Sequence, residues 1–175
     1  MKTILRCTTD CIATPIGNLM IAADEEGRLR AALFTENEDV IHRQLRLLYG
    51  GSGFTLEPAG NPHGLSRAIS RYFAGELGVI DKLLVETGGT PFQQEVWRSL
   101  RAIPCGTTTS YGKLAAQIGR PAAVRAVGLA NGANPVAVVI PCHRVIGSNG
   151  SLTGYGGGLE RKRWLLDHEK GQRLL

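Results

Sequence analysis

Pro141-Cys142-His143-Arg144 sets a thiol, an imidazole and a guanidinium on three successive residues, directly after the apolar run Ala137–Ile140. Proline cannot donate to a ladder, so this order predicts a short strand that stops at Pro141. The thiolate is the nucleophilic form of cysteine, and two cationic or cationisable neighbours favour it. An isolated cysteine is more often a small buried side chain. Here turn residues frame it on both sides: Asn134-Pro135 before, Gly147-Ser148-Asn149-Gly150 after, and the loop Gly154-Tyr155-Gly156-Gly157-Gly158 downstream. Glycine lets backbone approach a ligand closely, which is how a reactive side chain is seated in a pocket. Cys142 is therefore the candidate nucleophile.

The elements that must position it lie on either side. Thr90-Pro91-Phe92-Gln93 predicts a capping box with proline at the first helical position, opening a helix to Arg101 with Phe92, Val96 and Leu100 on one face. Ile103-Pro104-Cys105-Gly106 ends it, with Cys105 in a structural turn. Ser110 caps a helix from Tyr111 to Ile118, and Arg120-Pro121 turns the chain into a second helix, Ala122 to Ala130. Two short helices with a tight turn in a basic region fit a helix-turn-helix. The second helix has small residues (Ala122, Ala123, Ala126, Gly128, Ala130) and one cation, Arg125. That pattern suits a narrow groove with one inserted side chain, and equally a helix packed on a neighbour. Val145-Ile146 and Leu152-Thr153 predict a hairpin. A last helix, Leu159 to Glu169, turns Trp164, Leu165 and Leu166 toward the core. Its first turns carry Arg161, Lys162 and Arg163, where the helix dipole prefers acids, so an anionic partner is expected.

The N-terminal half reads as support. A meander of short strands covers residues 9–34. A helix from Glu38 to Tyr49 follows, capped by Asn37 and striped by Ile41, Leu45 and Leu48. Residues 50–61 read as a surface loop, Leu65 to Phe73 as a helix, and Leu83-Leu84-Val85 as one more strand. Thr87-Gly88-Gly89 marks a boundary, which gives domains of residues 1–86 and 87–175.

With 175 residues, 43% of them hydrophobic and 20% charged, the chain can bury one core or two small ones. Residues 1–90 hold 9 basic against 11 acidic side chains, and residues 91–175 hold 11 against 4. Only the second half is basic, which points to a polyanion there and makes nucleic acid the expected partner. No run is long enough to span a bilayer and no signal pattern opens the chain, so a cytoplasmic protein with no membrane partner is expected. In a reducing compartment Cys7, Cys11, Cys105 and Cys142 are free thiols. Cys7 and Cys11 with His42 and His63 match no standard zinc spacing, so no metal is expected.

These residues together resemble the O6-alkylguanine-DNA alkyltransferases in their bacterial form. The resemblance covers nearly the whole chain and rests on Pro141-Cys142-His143-Arg144-Val145, Phe92-Gln93-x-x-Val96-Trp97, Ser110-Tyr111 and Arg125-Ala126-Val127-Gly128. It also rests on Asn134-Pro135, Tyr155-x-Gly157-Gly158 and Trp164-Leu165-Leu166-x-His168-Glu169. It implies an α+β protein: an N-terminal ribonuclease-H-like α/β domain, then a C-terminal winged-helix-like domain carrying the helix-turn-helix. The implied reaction is irreversible, stoichiometric transfer of the alkyl group from O6-alkylguanine in duplex DNA to Cys142. It needs no cofactor, and O4-alkylthymine is a further possible substrate.

The resemblance also implies roles. His143 acts on the thiol through a water, Glu169 orients His143, and Asn134 ties the recognition helix to the active-site segment. Tyr111 helps extrude the nucleotide and protonates the leaving guanine, and Arg125 fills the vacated stack. Ala123, Ala126, Gly128, Ala130 and Arg144 join Tyr111 and Arg125 at the DNA. Val145, Tyr155, Gly156, Gly157 and Lys162 line the guanine pocket. Val124 stands where alanine is usual, and Gly156 where some members carry serine. The partner is double-stranded DNA carrying O6-alkylguanine, bound by a monomer that could cluster along it. A carboxylate behind His143 further favours a standing Cys142 thiolate. Two other readings stay open: a sensor of alkylated bases, whose relatives replace the cysteine, and a thiol hydrolase.

Overall fold

The structure is a computed structural model that describes residues 3–171. Strands β1 (Leu5–Thr14), β2 (Gly17–Asp24) and β3 (Leu29–Phe34) form an antiparallel meander. Its two tight turns use Gly17 and Gly27 at φ 115° and 78°, which side chains resist. Helix α1 (Glu38–Tyr49) starts at Asn37, whose side chain accepts from the Asp39 amide at 2.9 Å. One turn apart, Ile41 and Leu45 bury against Cys7, Met20, Ala22 and Ala31. Each such burial contributes about 1.5–3 kcal/mol.

The helix returns the chain so that β4 (Phe54–Pro58) pairs parallel to β1, giving the order β3-β2-β1-β4. Residues 50–61 are thus not all loop. Half-buried Phe54 and Leu56 alternate with exposed Thr55 and Glu57, a two-residue period hidden among Gly and Pro. Proline is tolerated at Pro58 because β4 is an edge strand. Helix α2 (Leu65–Phe73) buries Leu65, Ile69 and Tyr72. Residues 83–85 make no full strand: the Leu29 amide donates to Leu84 O at 2.8 Å and Leu29 O accepts from Glu86 at 3.1 Å, a single bridge. Residues 135–137 bracket Ala32 in the same way, so this first unit comprises the chain up to Gly89 and Pro135–Ala137.

The second unit comprises Thr90–Asn134 and the chain from Val138. Helix α3 (Pro91–Arg101) opens with both bonds of the Thr90–Gln93 capping box and buries Val96, Trp97 and Leu100. Helix α4 (Tyr111–Gln117) is capped by Ser110, which accepts from Lys113. Helix α5 (Val124–Gly132) begins two residues later than its sequence suggests, because Arg120–Ala123 first close a turn after Gly119 at φ 77°. Trp97 Nε1 donates to Ala130 O at 2.8 Å and ties α3 to α5.

Strand β5 (Thr109–Ser110) pairs in parallel with β6 (Val145–Ile146). The expected hairpin of Val145-Ile146 with Leu152-Thr153 does not form; the intervening turn does, with Gly147 N donating to Ser151 O at 2.9 Å. Nor do residues 137–140 make a strand. Val138 sits at φ 72°, a costly conformation for a β-branched residue, and bends the chain into a one-turn helix, Cys142–Arg144. Helix α6 (Leu159–Glu169) completes the unit. The mixture of helices and small sheets is α+β, as expected from the sequence. No helix among the described residues is long and apolar enough to cross a membrane.

Candidate active site

Cys142 opens the short helical turn and is 7% exposed. Asn134 holds it in place: Asn134 Nδ2 donates to Ile140 O at 2.7 Å, and its side chain also hydrogen-bonds the thiol. Burial pushes the Cys142 thiol up. The Asn134 bond and the Lys162 charge pull the other way without overcoming it. The expected standing thiolate is therefore corrected to a resting thiol.

Its two sequence neighbours turn toward Glu169 instead. His143 is wholly buried, and its Nε2–H donates to Glu169 Oε1. Arg144, 1% exposed, grips the same carboxylate through Nε at 2.9 Å and Nη2 at 2.6 Å, and Arg144 Nη1 donates to Ile103 O at 2.7 Å. Cys105 Sγ adds a bond to Glu169 Oε2 at 3.1 Å. Burial alone would raise the Glu169 carboxyl; the bonds from His143 and Arg144 reverse that and hold it at about 2. Burial likewise lowers His143 more than Glu169 raises it, so the imidazole rests neutral. With the proton on Nε2 facing the carboxylate, Nδ1 keeps the lone pair. Among the described residues this buried Nδ1 has no hydrogen-bond partner. A neutral base with a free lone pair sits one residue from a neutral thiol.

The glycine loop is held by the helix that follows it. Lys162, fully buried, donates from Nζ to Thr153 O at 2.5 Å and Gly154 O at 3.2 Å, and Arg161 Nη1 donates to Gly157 O at 2.9 Å. Two of the three cations expected to face an anionic partner are thus directed into the loop, and of the three Arg163 is the exposed one. Burial lowers the Lys162 ammonium, and only an ionised Cys142 would oppose that shift. Tyr155 buries its hydroxyl, which has no partner among the described residues, and burial pushes its phenol well up. Val145 is buried directly after the Cys142–Arg144 turn. A Cβ at Gly156 would meet nothing within 4 Å.

On the helix-turn-helix, Arg125 and Ala126 are exposed, and Ala123 and Gly128 are partly covered. A Cβ on Gly128 would lie 3.8 Å from Tyr111 Cδ1, so this glycine borders the tyrosine. Two expected DNA contacts are corrected. Ala130 is buried in the α3–α5 packing, because Ala122 lies before the helix begins and Ala130 shares the inward face of α5 with Val127, three residues back. Arg144 has no surface to offer, since its whole fork is committed to Glu169 and Ile103. Sequence reasoning also missed Cys105 and Thr153. Thr153 Oγ1 lies 3.2 Å from Tyr111 Oη as a hydrogen-bond donor. Neither has a local signal, as their partners are 64 and 42 residues away.

Two family models match the chain: the 6-O-methylguanine DNA methyltransferase ribonuclease-like domain over residues 8–86, and the DNA binding domain of the same family over residues 91–171. The chain belongs to the 6-O-methylguanine DNA methyltransferase family. Over 166 residues it is 56% identical to the methylated-DNA–protein-cysteine methyltransferase of Salmonella typhimurium, covering 95% of this chain and 97% of that one. The crystal structure of Mycobacterium tuberculosis O6-methylguanine methyltransferase superposes with a TM-score of 0.76 at 40% identity, covering 98% and 96% of the two chains. The same organism's OGT in complex with DNA gives 0.77 at 42%, covering 95% and 94%. The ribonuclease-like match lies within the first unit, and the DNA-binding match covers the second unit together with Pro135–Ala137 of the first.

Proposed function

We propose that this methyltransferase repairs duplex DNA directly, moving the alkyl group of O6-alkylguanine onto Cys142 and leaving guanine in place. The observation that carries the reading is the buried His143–Glu169 pair, which leaves Nδ1 as a free base one residue from a buried thiol. Adjacent side chains diverge, so the proton passes through one water from Cys142 to Nδ1. Sulfur attacks the alkyl carbon, the C–O6 bond breaks, and its electron pair enters the purine. Tyr111 supplies the proton that the purine then needs. Asn134 and Lys162 favour the developing thiolate. Catalysis here is proton transfer during reaction rather than a standing anion.

A base must leave the stack to reach a buried sulfur, and exposed Arg125 is suited to fill the gap. Small Ala123, Ala126 and Gly128 let the helix approach the groove closely. Val145, Tyr155, Gly156, Gly157 and Lys162 form the guanine pocket. Residues 1–86 act as support and 87–175 carry recognition and transfer, in a cytoplasmic monomer. The thioether is not a leaving group, so each molecule acts once.

Intact mass spectrometry after incubation with a duplex containing one O6-methylguanine tests this. The expected result is a gain of one methylene equivalent, mapped to Cys142, with product never exceeding one equivalent of protein. Continued turnover would favour a hydrolase, and DNA binding without mass change would favour a sensor.

A further inference from the structure

Tyr111, which the reaction above needs as a proton donor, has a second hydroxyl beside its own. Thr153 Oγ1 donates to Tyr111 Oη at 3.2 Å across 42 residues of sequence. Thr153 is exposed but not loosely held, because its carbonyl accepts from the fully buried Lys162 Nζ at 2.5 Å. Lys162 bonds the next carbonyl, Gly154 O, as well. A buried ammonium with two acceptors on consecutive residues fixes the backbone from which the Thr153 side chain projects.

We propose that Thr153 is a positioning residue for proton donation, holding the Tyr111 phenol so that its own O–H stays free for the leaving guanine. A phenol oxygen can accept one hydrogen bond while donating another. If Thr153 is the donor of the shared bond, the tyrosine proton has no protein acceptor there and is left for substrate. As the phenol releases that proton its oxygen gains charge, and a hydrogen bond to a charged acceptor is the stronger kind. The bond from Thr153 therefore strengthens during the step it assists. The proton balance closes: the thiol proton leaves toward His143, the phenol proton goes to the purine, and solvent returns one to the phenolate. Lys162 completes the arrangement, since the ammonium whose charge favours a Cys142 thiolate also fixes the loop that aligns the tyrosine.

The inference rests on the proton-donor reading of Tyr111, and the test separates the two. Single-turnover transfer from a methylated duplex, with protein in saturating excess, reports the chemical step, and duplex affinity is measured alongside. Thr153→Val should slow transfer roughly 3- to 10-fold, the worth of one hydrogen bond. Affinity should stay within about twofold, and Thr153→Ser should recover most of the rate. In a Tyr111→Phe background the valine change should have no further effect. A slow Tyr111→Phe with a fast Thr153→Val would overturn the role of Thr153 alone. An equal Thr153→Val loss with and without the tyrosine hydroxyl would show a purely structural effect and overturn it too. A Tyr111→Phe variant as fast as the wild type would remove the proton-donor reading itself.

Discussion

Glu169 accepts the Nε2–H of His143, and that one bond decides which imidazole nitrogen can act as a base. Nδ1 is left with its lone pair, buried and without a partner among the described residues. The same carboxylate binds both nitrogens of the Arg144 fork that face it, so it neutralises a buried cation while setting the tautomer.

The reactivity of Cys142 should reflect burial. An ordinary cysteine titrates at about 8.5. Alkylation by a small neutral reagent, followed against pH, should show an inflection above that of an ordinary cysteine, because burial raises the thiol. An inflection below it would restore the standing thiolate.

Arg144 should matter for stability and not for DNA affinity. Arg144→Lys keeps a charge but loses the fork and the bond to Ile103 O, at a cost of roughly 1–3 kcal/mol. Arg144→Met leaves Glu169 without its buried cation and should cost about 3–5 kcal/mol. Urea unfolding measures both. For the lysine variant, the salt dependence of duplex binding should match wild type, since this side chain touches no phosphate.

Acid should undo the same cluster. The folded Glu169 carboxyl sits at about 2 against an ordinary 4.5, so its contribution is fully present above about 4.5 and is lost as pH falls toward 2. Stability by urea titration between pH 6 and 2.5 should fall accordingly. Glu169→Gln, already destabilised at neutral pH, should have a flatter profile across that window.

Arg125 separates DNA engagement from chemistry. Arg125→Ala should lose most repair of duplex DNA and keep much of its reaction with a free O6-alkylguanine base, which needs no extrusion. Rates on both substrates check it; equal loss would assign Arg125 to the fold instead.

Glycines 156 and 158 should part company. A side chain at Gly156 meets open space, whereas Gly158 lies at φ 93°. Gly156→Ala should change stability by less than about 0.5 kcal/mol, and Gly158→Ala should cost more, about 1 kcal/mol or above. A large residue at 156 should slow benzyl transfer more than methyl transfer, as read from competing substrates.

What the sequence determined by itself was local or patterned. The Thr90–Gln93 box and the Asn37 and Ser110 caps follow from residues two or three apart. The run Pro141–Val145, with its framing turns, was enough to single out Cys142. Tertiary structure decided the rest, because burial and pairing depend on partners far along the chain. Leu5 and Phe54 meet as parallel neighbours only after α1 has returned the chain. Val145 pairs with Thr109 rather than with its own hairpin partner. Arg144 and Lys162 read as cations for an anion, yet each is enclosed with protein acceptors, and a charge shows its burial only once the fold has closed around it. The same enclosure moved Cys142 from expected thiolate to thiol, since desolvation outweighs charges that point elsewhere.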